Sequence, residues 1–280
     1  MKKHIAISLS VLVSLSLKAQ VVDLAYIQCN YSLTYAKDSL QIGVAQTDEM
    51  MLLIGNKYSF FCSYINYTAD SLQKANPAEY APQVSNRGGG AHVSAAKTRL
   101  KRTDNVEVYL IEKASNRLLC MGKAGVKDFY SYSEQLKVPE WEMHTDFQEI
   151  AGYKCQKATT FYGGRAWTAW FAADIPVSDG PWELRGLPGL ILKVEDSDKQ
   201  YIFTCSNVGR LSTQRAIEID RTNSYRKITK KEFIKERKQL YEDPLVAFSK
   251  AGLDISAATV GNPSFAKPRP KKYNPIEVTM

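Results

Sequence analysis

Apolar and polar residues alternate along much of this chain with a period of two, the spacing of a strand with one buried face. The longest run comes first: Ala25, Ile27, Cys29, Tyr31, Leu33 and Tyr35 alternate with Tyr26, Gln28, Asn30, Ser32 and Thr34. Shorter runs at 50–54 and 57–62 flank the turn-prone Gly55-Asn56. Further runs at 106–112, 116–121, 129–134, 141–150, 153–162, 165–171, 190–194 and 201–206 are divided by turn formers such as Asp196-Ser197-Asp198-Lys199. Strands so regularly spaced, without helices between them, predict a mainly β fold of the α+β kind. The expected form is a single curved, largely antiparallel sheet or open barrel in one domain over residues 20–280.

One amphipathic helix is predicted late, over 229–243. Thr229-Lys230-Lys231-Glu232 has the spacing of a capping box, in which hydroxyl and carboxylate satisfy exposed N–H groups reciprocally. Phe233, Ile234, Leu240 and Tyr241 share its apolar face, and Pro244 bars continuation. Lys230, Lys231 and Lys235 run against the helix dipole, so that face reads as one for solubility or a partner. A short helix is also expected near 70–74. Residues 76–102 hold Pro77, Pro82 and the triplet Gly88-Gly89-Gly90, the composition of a mobile surface insertion, whether loose loop or binding lid. Residues 261–280 carry Pro263, Pro268, Pro270 and Pro275 and are expected as an extended tail, docking at 274–278 as a strand or ribbon.

The most distinctive stretch is 152–191. It contains Trp167, Trp170 and Trp182 of the four tryptophans. Gly163-Gly164 separates two alternating runs, a tight-hairpin signal. A Pro- and Gly-punctuated crossing then closes on Gly186-Leu187-Pro188-Gly189-Leu190-Ile191. These six residues read as a structural turn that buries its leucines. Pro188 would preset one φ and Gly189 would supply a positive one, as in a type II turn.

Gly186–Ile191 spells GLPGLI, and with GYKCQKA at 152–158, GRAWTAWF at 164–171 and NPIE at 274–277 the chain resembles the GLPGLI family of exported bacterial envelope proteins. The resemblance covers most of the chain after the leader and is strongest over 141–194. Members of that family often lie near genes for outer-membrane receptors, which implies an envelope setting; an outer-membrane or other envelope protein is the expected partner. It carries over no catalytic residues.

Lys2 and Lys3, the apolar run 5–17 and Leu17-Lys18-Ala19 make residues 1–19 a predicted signal peptide, with the protein periplasmic or secreted after cleavage. No other apolar run reaches about 18 residues, so no transmembrane segment is expected beyond the leader. The formal charge is +8, and +5 without Lys2, Lys3 and Lys18. Export argues against nucleic acid as a partner of this basic chain. Cys29, Cys62, Cys120, Cys155 and Cys205 are widely and irregularly spaced, with no CxxC pair. An exported setting permits disulfides whose pairing is open, and buried free thiols are the alternative.

Candidate chemistry is sparse. His92 and His144 are isolated, and no metal motif, nucleophile elbow, phosphate loop or dinucleotide fingerprint is present, so no metal and no cofactor is expected. Cys155 with His144 is one nucleophile pairing that folding would have to create. Asp174, Asp179 and Glu183 are carboxylates near the crossing that read first as turn formers. Arg165, Trp167, Trp170, Trp182 and Arg185 combine stacking surface with planar donor forks and are the candidate ligand-binding residues. Their other reading is core tryptophans with arginines tying down loop carbonyls. The chain therefore reads as a non-enzymatic exported binder of a ligand or partner, the alternative being an envelope hydrolase assembled from scattered residues. A pocket of converging titratable groups would mark the hydrolase, an apolar groove the binder.

Overall fold

The computed structural model describes residues 20–41, 43–80, 83–87, 90–94, 97–126, 128–219, 224–252 and 271–278. The predicted leader, residues 1–19, lies outside them, as do 261–270 of the predicted tail and part of 76–102. The fold is mainly β: one large open sheet carrying a few helices.

The sheet joins two antiparallel meanders side by side. The first contains β1 (Gln20–Tyr35), β2 (Gln46–Gly55), β3 (Tyr58–Ser63), β6 (Val108–Glu112), β7 (Arg117–Gly122) and β8 (Phe129–Gln135). The second contains β9 (Glu142–Ile150), β10 (Tyr153–Tyr162), β11 (Arg165–Ala172), β12 (Leu190–Asp196) and β13 (Tyr201–Ile219). β1 pairs with β13 at the seam, and β14 (Tyr225–Lys227) adds in parallel to β8. Between β3 and β6 lie α1 (Tyr64–Ala75), α2 (Pro77–Tyr80) and a separate hairpin of β4 (Gln83–Arg87) and β5 (Gly90–Ser94). The last helices are α3 (Lys230–Glu242) and α4 (Pro244–Lys250), followed by an extended ribbon over 271–278.

The alternation in β1 is realised as burial: Ala25, Ile27, Cys29, Tyr31, Leu33 and Tyr35 are all buried. A register shift between Ala25 and Ile27 occurs in both of its ladders. One extra residue reverses which side a strand presents. Thus Ile27–Tyr35 feed the main core with Trp167, Phe171 and Phe203, while Ala25 joins Met51, Leu53 and Phe60 on the opposite face. β2 is buried on both sides, with Met50, Leu52 and Ile54 in the first core and Met51 and Leu53 in the second. A third cluster forms where Phe233 of α3 packs on Cys120, Tyr130 and Tyr132.

The hairpin at Gly163-Gly164 has φ +58° and +77°, the left-handed pair of a type I′ turn. The crossing, residues 173–189, lies across the main core and places Trp182, Leu184 and Leu187 within it. Leu190, Ile191 and Leu192 are fully buried behind it. Gly189 differs from expectation: it does not have a positive φ, whereas Gly186 does, at +103°. A Cβ on Gly189 would sit 2.2 Å from the Ala172 carbonyl oxygen. Glycine is required there by close backbone approach rather than by turn geometry.

Candidate functional site

Two side-chain clusters and two cavities surround the crossing and α1. The first cluster centres on Arg165, at the start of β11. Its Nε donates to the Ile276 carbonyl at 2.8 Å; Nη1 donates to Asp196 at 2.7 Å and Gln200 at 3.0 Å. Nη2 donates to the Asn274 side chain at 2.8 Å and the Pro275 carbonyl at 2.7 Å. The guanidinium also lies over the Tyr201 ring, whose hydroxyl donates to the Asn274 carbonyl at 2.6 Å. All five N–H donors of the guanidinium are thus engaged inside the protein. Arg165 is the clasp that seats the ribbon, and Val278 continues it by donating its N–H to Gly163.

The other four candidates lie on β11 and on the crossing. Trp167 and Trp182 are buried with ring centroids 6.1 Å apart, and Trp167 donates to the Tyr162 carbonyl. Trp182 holds φ +56°, a backbone state uncommon outside glycine that nothing in the sequence signals. Trp170 is half-buried on β11, between Lys157 of β10 and Lys193 of β12 in register. Arg185 is buried with its Nη2 4.0 Å from Asp179, and its carbonyl accepts from Trp141 at 2.8 Å. Asp179 is also buried and ties the crossing to the first meander, accepting from Ser59 at 2.8 Å and pairing with Lys113 at 2.9 Å. The five therefore do not converge on one surface.

The second cluster went unread in the sequence. Lys230, the first residue of α3, lies among Glu134 of β8 at 2.6 Å, Glu183 of the crossing at 3.8 Å and Glu277 of the ribbon, with which it makes a close pair. It is therefore not a solvated lysine opposing a dipole. Glu183 is 1% exposed; its Oε2 accepts from Tyr162 Oη at 3.2 Å, while Oε1 has no hydrogen-bond partner among the described residues. Burial, with Glu277 and Glu134 adding repulsion against the pull of Lys230, pushes the Glu183 carboxyl up to about 8. Burial works to lower the Lys230 pKa, but Glu183 and the bonds to Glu134 and Glu277 outweigh it and raise it.

A cavity of about 80 Å³ lies beside these groups, lined by Tyr35, Tyr109, Tyr201 and Tyr273 with Phe61 and Phe203. Arg237 of α3 reaches it, paired with Glu107 at 2.9 Å. A larger groove of about 810 Å³ opens between α1 and the sheet, over the second core. Leu53, Phe60, Cys62, Val108, Met121 and Ile217 line it. On its rim Arg102 is held by Asp70 at 2.7 Å and by Gln73 at 2.9 Å.

The cysteines are all free and buried. Cys155 and Cys205 are pushed up to about 11 by burial, the environment of inert thiols. His144 bonds Thr159 at 2.7 Å, whereas Cys155 donates to the Tyr153 carbonyl, so the two do not pair. Among the described residues no group of three or more His, Cys, Asp or Glu has the geometry to hold a metal ion, and no helix is long and apolar enough to cross a membrane.

A family model described as "Protein of unknown function (Porph_ging)" matches residues 163–193, the segment from the type I′ turn through β11 and the crossing to β12. No curated protein matches the chain. Two solved structures of PNGF-II are similar in fold, one at 14% identity over 77% of this chain and 33% of that one, the other at 13% over 75% and 32%, both with a TM-score of 0.47. The chain thus spans about a third of the length of the solved chains it matches.

Proposed function

We propose that this chain is an exported envelope protein of the GLPGLI type that binds an apolar or amphiphilic ligand, or the apolar part of an envelope partner, without catalysing a reaction. The groove beside α1 carries the reading. Its volume, about 810 Å³, falls in the range of ligand pockets, and its floor is aliphatic, aromatic and thiol side chains. The charges at its mouth include the Asp70–Arg102 pair, which leaves apolar burial as the main source of affinity. A hydrolytic reading draws on one observation, the convergence of Glu183, Lys230 and Tyr162. Those groups line neither of the two cavities.

The test is titration of the full chain with a fluorescent long-chain fatty acid, beside a Val108→Trp variant that narrows the groove. A binder should show saturable fluorescence, weakened at least tenfold in the variant at unchanged melting temperature. Equal affinity of the two proteins would refute the groove assignment. N-terminal sequencing of the native protein from its envelope fraction tests export, and a sequence beginning at Met1 would contradict it.

A further inference from the structure

The groups around Lys230 are out of charge balance. Glu134 of β8, Glu183 of the crossing and Glu277 of the ribbon face one ammonium, and the remaining neighbour, Tyr162 of β10, is neutral. Tyr109, Tyr132 and Cys120 also lie within electrostatic reach of Glu183 and bring no positive charge. Glu134 and Glu277 keep side-chain exposures of 30% and 17%, so the cost of an uncompensated charge falls on Glu183, whose side chain is 1% exposed. Glu183 is the most buried of the three, and its Oε1 lies 3.8 Å from the Lys230 ammonium, beyond hydrogen-bond distance, with no hydrogen-bond partner among the described residues. Glu183 is therefore the carboxyl that holds the proton, with Tyr162 Oη at 3.2 Å from its Oε2.

α3 is the element this arrangement controls. It buries a single residue, Phe233, so polar contacts supply most of its attachment. They include Lys230 with its glutamates, Arg237 with Glu107, Arg237 Nη2 donating to the Asp104 carbonyl at 3.1 Å, and Glu242 accepting from the Tyr273 N–H of the ribbon at 3.0 Å. The neighbouring ribbon has an anchor of its own besides these, Arg165. Beneath Arg237 lies the tyrosine-lined cavity. We propose that α3 is a proton-operated lid over that cavity: it stays down while Glu183 carries its proton, and lifts when that carboxyl ionises.

The linkage has a fixed sign. Lifting α3 takes away Lys230 and lets water reach Glu183, which then titrates as an ordinary carboxyl and releases its proton to solvent. One proton released per opening shifts the equilibrium tenfold toward open for each pH unit between the ordinary carboxylate range and about 8, and not beyond.

Hydrogen exchange of the full chain between pH 5 and 9, corrected for intrinsic rates, reads this directly. The α3 amides should be less protected than those of β2 and β3. Their protection should fall close to tenfold per pH unit up to about pH 8 and then level off. In Glu183→Gln the same amides should show no such slope. The proposal is overturned if α3 amides are as protected as those of β2 and β3, if wild-type protection ignores pH, or if Glu183→Gln keeps the wild-type slope. Should that variant fail to fold, carbon-13 titration of the wild-type glutamates decides: one carboxyl titrating above pH 7 supports the lid, and none doing so overturns it.

Discussion

Two cations, Arg165 buried and Lys230 half-buried, hold the C-terminal ribbon, and they are built in opposite ways. Arg165 faces one carboxylate, Asp196, and spends its other donors on neutral oxygens of Gln200, Asn274, Pro275 and Ile276. Its charge is matched and its donors are all satisfied. Lys230 faces three carboxylates with one charge and leaves a Glu183 oxygen without a hydrogen bond among the described residues. A matched buried pair has one state over the physiological pH range, whereas an unmatched cluster has two. The difference separates a permanent anchor from a titratable contact, within a few residues of the same ribbon.

Removing the anchor should have the largest effect. Arg165→Met strands Asp196, 2% exposed, as a buried unpaired charge and frees the ribbon. Loss of about 3–5 kcal/mol is expected in denaturant unfolding. A loss under about 1 kcal/mol would mean that the clasp is dispensable. Glu183→Gln is expected to act next most strongly and in the opposite direction. A carboxyl raised above its unfolded value contributes stability that is complete below about 4.5 and is lost as pH rises through about 8. The amide does not ionise, so the variant's advantage over wild type should grow by about 3–4 kcal/mol between pH 5 and pH 8. Thermal melts across that range check it, and parallel curves for the two proteins would contradict the contrast. Thr229→Ala should have the smallest effect. It deletes the capping box, in which Thr229 Oγ1 accepts from the Glu232 N–H at 3.2 Å. A cost of about 1 kcal/mol should raise α3 exchange equally at every pH, leaving the slope to Glu183.

The parts of this picture that follow local rules were legible in the sequence. The alternation of Ala25–Tyr35, the glycine pair at 163–164 and the Thr229–Glu232 box are each a few neighbouring residues obeying one steric or hydrogen-bond requirement. α1 proved longer than the expected 70–74 because Ser63 caps it, its side chain accepting from the Asn66 N–H. β13 runs on to Ile219 through a polar segment without period-two burial; its pairing with β1, not its own pattern, holds it extended. Gly189 was legible as an indispensable glycine but not for its reason, since Ala172 approaches only once β11 and the crossing are in place. The Lys230 cluster could not be read at all. Glu134, Glu183, Lys230 and Glu277 come from four elements far apart in sequence, and each alone has the appearance of a surface charge. Arg165 was conspicuous, but its donors are consumed by Asn274–Ile276, over a hundred residues away.

The seam of the sheet sets the order in which the chain can fold. β1 pairs on one side with β2, its immediate successor, but on the other with β13, so that Gln20 meets Ile219 and Tyr35 meets Tyr201. The first strand therefore keeps one edge unpaired until most of the chain has been made. During that interval Cys29, Tyr31 and Leu33, destined for the core, are uncovered beside an open backbone ladder. Pairings of such separation close slowly because the loop entropy is lost before the contacts form. A nascent chain of this design needs protection at its N-terminal strand for the whole of its synthesis.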